Sequence, residues 1–196
     1  PFKKYFLPAE EKIFPIPKPP KKFVLFGLDP VDLEALTQLD EIMRKPKEDF
    51  YYWQRRKQTL VIGIEKDMKK LAKDYKDFLE EGNLTETKAS DWQKSMRQSL
   101  LDPELLADAV EWSWGNSPKI WEDLAERCLG CGICTYVCPL CYCFSIEDKV
   151  GLDDKCSRCR KWDACTLPGF AKIAGGHSFR PTLKERYYNW FYHKFV

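Results

Sequence analysis

At 196 residues the chain is long enough for one domain or two small ones, and 32 basic against 30 acidic side chains leave it at +2. That balance gives no strongly positive face of the kind nucleic-acid readers carry, so no nucleic-acid partner is expected. No apolar run reaches the ~20 residues that span a bilayer, and 7 Trp, 9 Tyr and 12 Phe argue against disorder.

Residues 1–22 are rich in Pro and Lys, with Pro15, Pro17, Pro19 and Pro20 beside Lys18, Lys21 and Lys22. Proline withholds a backbone donor and fixes an extended backbone, so this stretch reads as an arm outside the core. Phe23–Gly27 is a short apolar run suited to a buried strand, and Thr59–Ile64 is a second. Between them Asp29-Pro30 has the form of an N-cap followed by proline at N1, and Leu36, Leu39 and Met43 supply an apolar helical face. Strand, helix and strand make residues 23–65 a small α/β part built on a βαβ unit.

Residues 66–127 read as a helical connecting part. Met68, Leu71, Ala72, Tyr75, Phe78 and Leu79 recur at helical spacing, with Gly82 as a stop. Asp102-Pro103 opens a second helix and Ser117-Pro118 a third, which runs into Cys128. Residues 128–196 are the metal-binding part. The expected fold is therefore α+β, with a ferredoxin-like iron–sulfur domain at the C-terminal end.

Cys128, Cys131, Cys134 and Cys138-Pro139 form the run C-x2-C-x2-C-x3-C-P. Three thiolates at this spacing suit one 4Fe–4S cube, and the fourth points away, serving the other cluster in two-cluster ferredoxins. A disulfide framework is disfavoured because Cys pairs this close in sequence are strained and nine is an odd count. Structural zinc usually takes two separated C-x2-C knuckles. Five cysteines follow: Cys141, Cys143, Cys156, Cys159 and Cys165. Two clusters need eight thiolates. One partition gives Cys128, Cys131 and Cys134 to the first cluster, completed by Cys141 or Cys143. Cys156, Cys159 and Cys165 then serve the second with Cys138. Zinc or unliganded thiols at the later cysteines remain the alternatives.

Lys155, Arg158, Arg160 and Lys161 flank the later cysteines, and cations there would raise a cluster's potential; the alternative is a solvated basic loop. Trp162 reads either as a cover for a cluster or as a core aromatic. His177 and His193 are the only histidines, and Ala-Gly-Gly-His reads first as a tight turn. Nine cysteines with no secretory signal point to a reducing compartment, hence the cytoplasm of an anaerobic cell.

The segment from Cys128 onward resembles the iron–sulfur β subunit of cytoplasmic NAD(P)-linked NiFe hydrogenases, the sulfhydrogenases. It also resembles a related iron–sulfur component of anaerobic sulfite reductase. The residues carrying the resemblance are the Cys128–Cys138-Pro139 run, Cys141-Tyr142-Cys143-Phe144, Trp162-Asp163-Ala164-Cys165 and Ala174–Arg180. Phe26-Gly27 with Asp32 matches more loosely. Three departures stand out. The family continues past a point like Val196 into a second C-x2-C-x2-C-x3-C-P run, whose cluster Cys138 would then ligate, leaving Cys141, Cys143, Cys156, Cys159 and Cys165 for a third site. It has a longer segment between strands like Thr59–Ile64 and the helices that follow. Cys156 and Cys159 are not part of its pattern.

Nine cysteines lead to an expectation of two 4Fe–4S clusters, or at least one, and the resemblance implies an electron-transfer role. It implies two partners, a flavin-containing NAD(P)-reductase-like subunit together with a hydrogenase-like or other redox catalytic subunit. No catalytic residues are expected: the sequence holds no dinucleotide or P-loop fingerprint and no convincing nucleophile–base pair. The alternatives are a part of anaerobic sulfite reductase or another redox complex, or a cluster that itself binds substrate through an open iron.

Overall fold

The computed structural model describes residues 2–64, 102–152 and 155–196. The helix expected over Met68–Leu79 and its stop at Gly82 lie outside the described residues. A 3₁₀ turn (Phe2–Tyr5) is followed by β1 (Glu10–Phe14), β2 (Phe23–Leu28), α1 (Pro30–Ile42), α2 (Phe50–Arg56) and β3 (Thr59–Gly63). Then come α3 (Pro103–Asn116), α4 (Pro118–Arg127), α5 (Ile133–Val137), β4 (Phe144–Val150), β5 (Cys156–Trp162) and α6 (Leu183–Phe195). The chain divides into two units. One holds residues 2–8 and 13–64; the other holds Ala9–Lys12 and the described residues from Asp102 onward.

In the first unit β2 and β3 pair in parallel from Phe23↔Thr59 to Phe26↔Ile62, with a register shift before Leu28↔Gly63. Two helices make the crossover. Asp29 Oδ1 accepts from the Asp32 amide at 2.8 Å and Pro30 sits in the first turn, where its missing N–H costs nothing. Leu36, Leu39 and Met43 are buried, as their spacing predicts. Asp49 caps α2 in the same way, 2.8 Å from the Tyr52 amide. Tyr52 is wholly buried, and its hydroxyl donates to Asp40 Oδ1 at 2.5 Å. Arg56 Nε reaches both Asp40 oxygens, at 3.1 and 3.0 Å.

Residues 2–14 are not the extended arm that composition suggests. Phe2 and Phe6 lie one turn apart and enter this core together, Phe6 against Tyr52 with ring centres 5.9 Å apart. Among residues 15–22 there is no helix or strand.

The second unit joins a helical trio to a three-stranded sheet. Asp102 caps α3, accepting from the Glu104 and Leu105 amides at 3.0 and 3.3 Å. Aromatic rings fasten α3 and α4 to α6. Trp114 stacks on Tyr188 at 4.4 Å, and Trp121 meets Tyr188 and Phe191 edge-on at 4.9 and 5.3 Å. Strand order in the sheet is β1-β5-β4, with β4 and β5 an antiparallel hairpin in unbroken register from Phe144↔Trp162 to Val150↔Cys156. Glu11 of β1 is buried against Arg160 of β5, whose Nε donates to Glu11 Oε1 at 2.7 Å. α6 starts with a reciprocal capping box between Thr182 and Glu185. Arg186 then donates to the carbonyls of Thr166, Arg180 and Pro181, at 3.0, 3.1 and 2.6 Å. Those bonds tie α6 to the loop after β5.

Candidate iron–sulfur centre

The cysteine run begins where α4 ends. Cys128 leaves helical geometry at φ −85° and ψ 126°, and the loop turns through Gly130 and Gly132 at φ 61° and 77°. Glycine is needed at Gly132 for two reasons. Its backbone is left-handed, and a Cβ there would come within 2.8 Å of Ala164 Cβ. The loop therefore lies directly on the Asp163–Leu167 turn that carries Cys165. Cys134 is then held in α5, and Cys138 caps that short helix in extended conformation.

The nine cysteines, all reduced, sort into groups. Cys138 and Cys141 share a side-chain hydrogen bond and both accept from Lys194 Nζ, at 2.8 and 2.9 Å. Cys143 shares a side-chain hydrogen bond with Cys165, and Cys165 lies within the electrostatic reach of Cys141. A backbone bond from the Asp163 amide to the Cys143 carbonyl, 3.0 Å, fastens the two segments side by side. Cys128, Cys131 and Cys134 lie on the loop and first turn before Cys138. The Gly130 amide donates to Cys128 Sγ at 3.4 Å, and Cys131 is exposed.

α6 serves both groups. Leu183 at its start lies 3.4 Å from where a Cβ on Gly130 would stand, and Tyr187 feels the charges of Cys128 and Cys134. Lys194, near its end, reaches Cys138 and Cys141.

Cys156 and Cys159 behave differently. They are three residues apart on a regular strand, so their side chains leave β5 on opposite faces. Cys156 is exposed and Cys159 buried. The expected triple of Cys156, Cys159 and Cys165 is not drawn together; Cys165 turns to Cys143 instead. The basic residues around that triple also differ from expectation. Arg158 pairs with Asp148 at 2.7 Å, Arg160 with Glu11, and Lys161 with Glu147. Their charges are met by carboxylates of the sheet. The cation beside the thiols is Lys194, which lies 53 and 56 residues from Cys141 and Cys138 and carries no local signal.

The thiols' electrostatics follow from these contacts. The hydrogen bond from Cys141, followed by that from Lys194, holds Cys138 down to about 4, while Cys141 as donor is pushed up. Cys143 is lowered to about 7 by its bond from Cys165, which is raised in turn. Thiolate is the form that ligates iron, so binding a cluster would release the proton shared within each pair. Two buried polar atoms on neighbouring residues have no protein partner: Thr166 Oγ1, next to Cys165, and Trp190 Nε1, one turn before Lys194. A buried, unmatched hydroxyl on the residue after Cys165 fits a group whose sulfide corners accept hydrogen bonds.

Among the described residues no three His, Cys, Asp or Glu side chains converge as they would on one metal ion. A cube makes a different demand, since each iron takes its own thiolate. Trp162 stacks on Tyr136 of α5 with centres 6.0 Å apart. His177 follows Gly175 and Gly176, at φ 92° and 83°, in the expected turn and meets Phe179 edge-on. His193 is held below its ordinary value by burial, with Arg180 and Lys194 adding to it.

Comparison with known proteins agrees with this arrangement. Residues 127–196 match the family model of the 4Fe–4S dicluster domain. The chain is 30% identical to sulfhydrogenase 2 subunit beta of Pyrococcus furiosus, over 99% of its own length and 72% of that protein's. The chain belongs to the sulfhydrogenase β-subunit family. The family's iron–sulfur, electron-transfer character accords with a thiol-lined domain of mixed α/β structure. The alignment runs over 244 positions, more than the 196 residues present, so the relative carries insertions. No solved structure matches. Among the described residues, no helix is long and apolar enough to cross a membrane.

Proposed function

We propose that this sulfhydrogenase β-type chain relays electrons within a cytoplasmic hydrogenase complex. Its partners are a flavin-containing NAD(P)-reductase-like subunit on one side and a hydrogenase-type catalytic subunit on the other. A 4Fe–4S cluster, when bound, supplies a one-electron carrier that makes and breaks no substrate bond. One cluster is assigned to Cys138, Cys141, Cys143 and Cys165, and another to Cys128, Cys131 and Cys134 with a fourth ligand from outside that trio. The observation that carries the reading is the sorting of these cysteines into the Cys128–Cys134 stretch, with Tyr187 of α6 beside it, and the linked thiols Cys138, Cys141, Cys143 and Cys165, with Lys194 of α6 beside them.

Each part of the chain has a task. Gly130 and Gly132 let the loop wrap closely, and the Gly130 amide supplies a donor to a ligand sulfur. Tyr187 sets a ring beside Cys128 and Cys134, which would help keep water from the charge that an electron adds. Cys131, the exposed thiol of the trio, marks the edge nearest solvent.

Serine substitution at Cys165 tests the assignment in the complex purified without oxygen. Iron and acid-labile sulfide should fall by one cluster, with loss of one EPR signal. Cys156→Ser should leave both intact. If Cys156→Ser removes a cluster and Cys165→Ser does not, the assignment is wrong.

A further inference from the structure

Lys194 is the half-buried cation of the thiol cluster, and it enters from an element far away in sequence. Its ammonium lies 2.8 Å from Cys138 Sγ and 2.9 Å from Cys141 Sγ. No carboxylate among the described residues pairs with it. By contrast Arg158, Arg160 and Lys161 are each matched by an acid. The difference matters because a cation already paired with a carboxylate presents little net field, whereas an ammonium held by ligand sulfurs in a partly desolvated site directs its charge at whatever those sulfurs bind. The stem of Lys194 is held as well: its Nζ lies 5.8 Å from the centre of the Trp190 ring one turn earlier on α6.

We propose that Lys194 is a positioning residue that sets the reduction potential of the cluster held by Cys138, Cys141, Cys143 and Cys165, holding it above that of the Cys128–Cys134 cluster. This rests on the ligand assignment above. A thiolate-bound cluster gains negative charge on reduction, so a fixed cation hydrogen-bonded to two of its ligand sulfurs stabilises the reduced form more than the oxidised one. The Cys128–Cys134 group has a different environment: its donor is a neutral backbone amide at Gly130 and its α6 neighbour is Tyr187. One helix thus gives two neighbouring clusters unequal surroundings, and an electron would run downhill from the Cys128–Cys134 group toward the Lys194 end.

The test is an EPR-monitored redox titration of the intact complex carrying K194M, K194Q or K194R. In K194M and K194Q the signal lost in Cys165→Ser should titrate at a more negative potential, with the other signal unmoved. K194R, which keeps the charge, should stay near the unsubstituted value. An unchanged potential in K194Q with full iron content overturns the proposal, as does an equal shift of both signals. If K194M assembles no cluster at this site, K194Q and K194R still decide: equal potentials in the two overturn it. Failure of the ligand assignment shows separately, as Cys165→Ser leaving every signal intact.

Discussion

Gly132 and Ala164 approach so closely that a single methyl on the glycine would stand 2.8 Å from the alanine's own. This contact seats the cysteine loop on the turn that presents Cys165. Gly132→Ala would combine a left-handed backbone, which costs about 1–2 kcal/mol outside glycine, with an overpacked contact of roughly 1–3 kcal/mol. The expected outcome is a clear loss of thermal stability and of bound iron. Gly115→Ala, with nothing within 4 Å of the new methyl, should be neutral or slightly stabilising, and calorimetry on both variants checks the contrast.

Cys134→Ala separates relay from catalyst. Electron flow between the distal partners should drop sharply, while each partner's own half-reaction, driven by an artificial dye, should survive. A relay contributes the path, and bond-making happens elsewhere. Loss of all dye-linked activity in an assembled Cys134→Ala complex would instead favour a cluster that binds substrate.

Glu11 and Arg160 form a buried ion pair between the first strand and the fifth. Glu11→Ala would leave a buried guanidinium without its carboxylate and should cost about 3–5 kcal/mol. The double variant Glu11→Leu with Arg160→Met should recover most of that loss. Denaturant unfolding of the double variant together with Glu11→Leu and Arg160→Met alone measures the coupling.

Tyr52 ties the stability of the first unit to alkaline pH. Burial, followed by the charge and hydrogen bond of Asp40, raises its hydroxyl well above the ordinary value of 10.0. The neutral form is thus favoured in the folded state, so its contribution is fully present below pH 10 and is lost as pH rises above it. Unfolding free energy should fall with pH from about 10 upward, and Tyr52→Phe should flatten that slope at a cost of about 1 kcal/mol at neutral pH. Denaturant titrations at pH 8 and pH 11 check both points.

Local chemistry made much of this legible in advance. Asp29-Pro30, Asp102-Pro103 and Ser117-Pro118 each open a helix, because first-turn prolines and, at Asp29 and Asp102, side-chain caps act within four residues. The two apolar runs are a parallel pair, though not the buried strands expected, since Val24, Phe26 and Leu60 are exposed, and Cys128–Cys138 wraps a loop and one helical turn, as its spacing and glycines require. What stayed hidden depends on partners distant along the chain. Glu-Glu-Lys-Ile-Phe has no strand-like apolar pattern, and Glu11 turns inward only because Arg160 is there to receive it. Lys194 looks in sequence like any basic residue in a last helical turn. The grouping of Cys143 with Cys165 is fixed by the hairpin between them, whose length no spacing rule reveals.

β1 (Glu10–Phe14) supplies the third strand of a sheet whose other two strands lie beyond residue 143. On the ribosome this segment emerges long before it can be used. Until Trp162 has left the exit tunnel, the Ala9 carbonyl has no Trp162 amide to accept from and Glu11 has no guanidinium to meet. Such long-range pairing forms slowly. Delivery of iron and sulfide would thus be a late event in biosynthesis, waiting on the synthesis of β5. A shortened gene starting at residue 100 would express every cysteine, yet leave β5 with an open edge where β1 belongs.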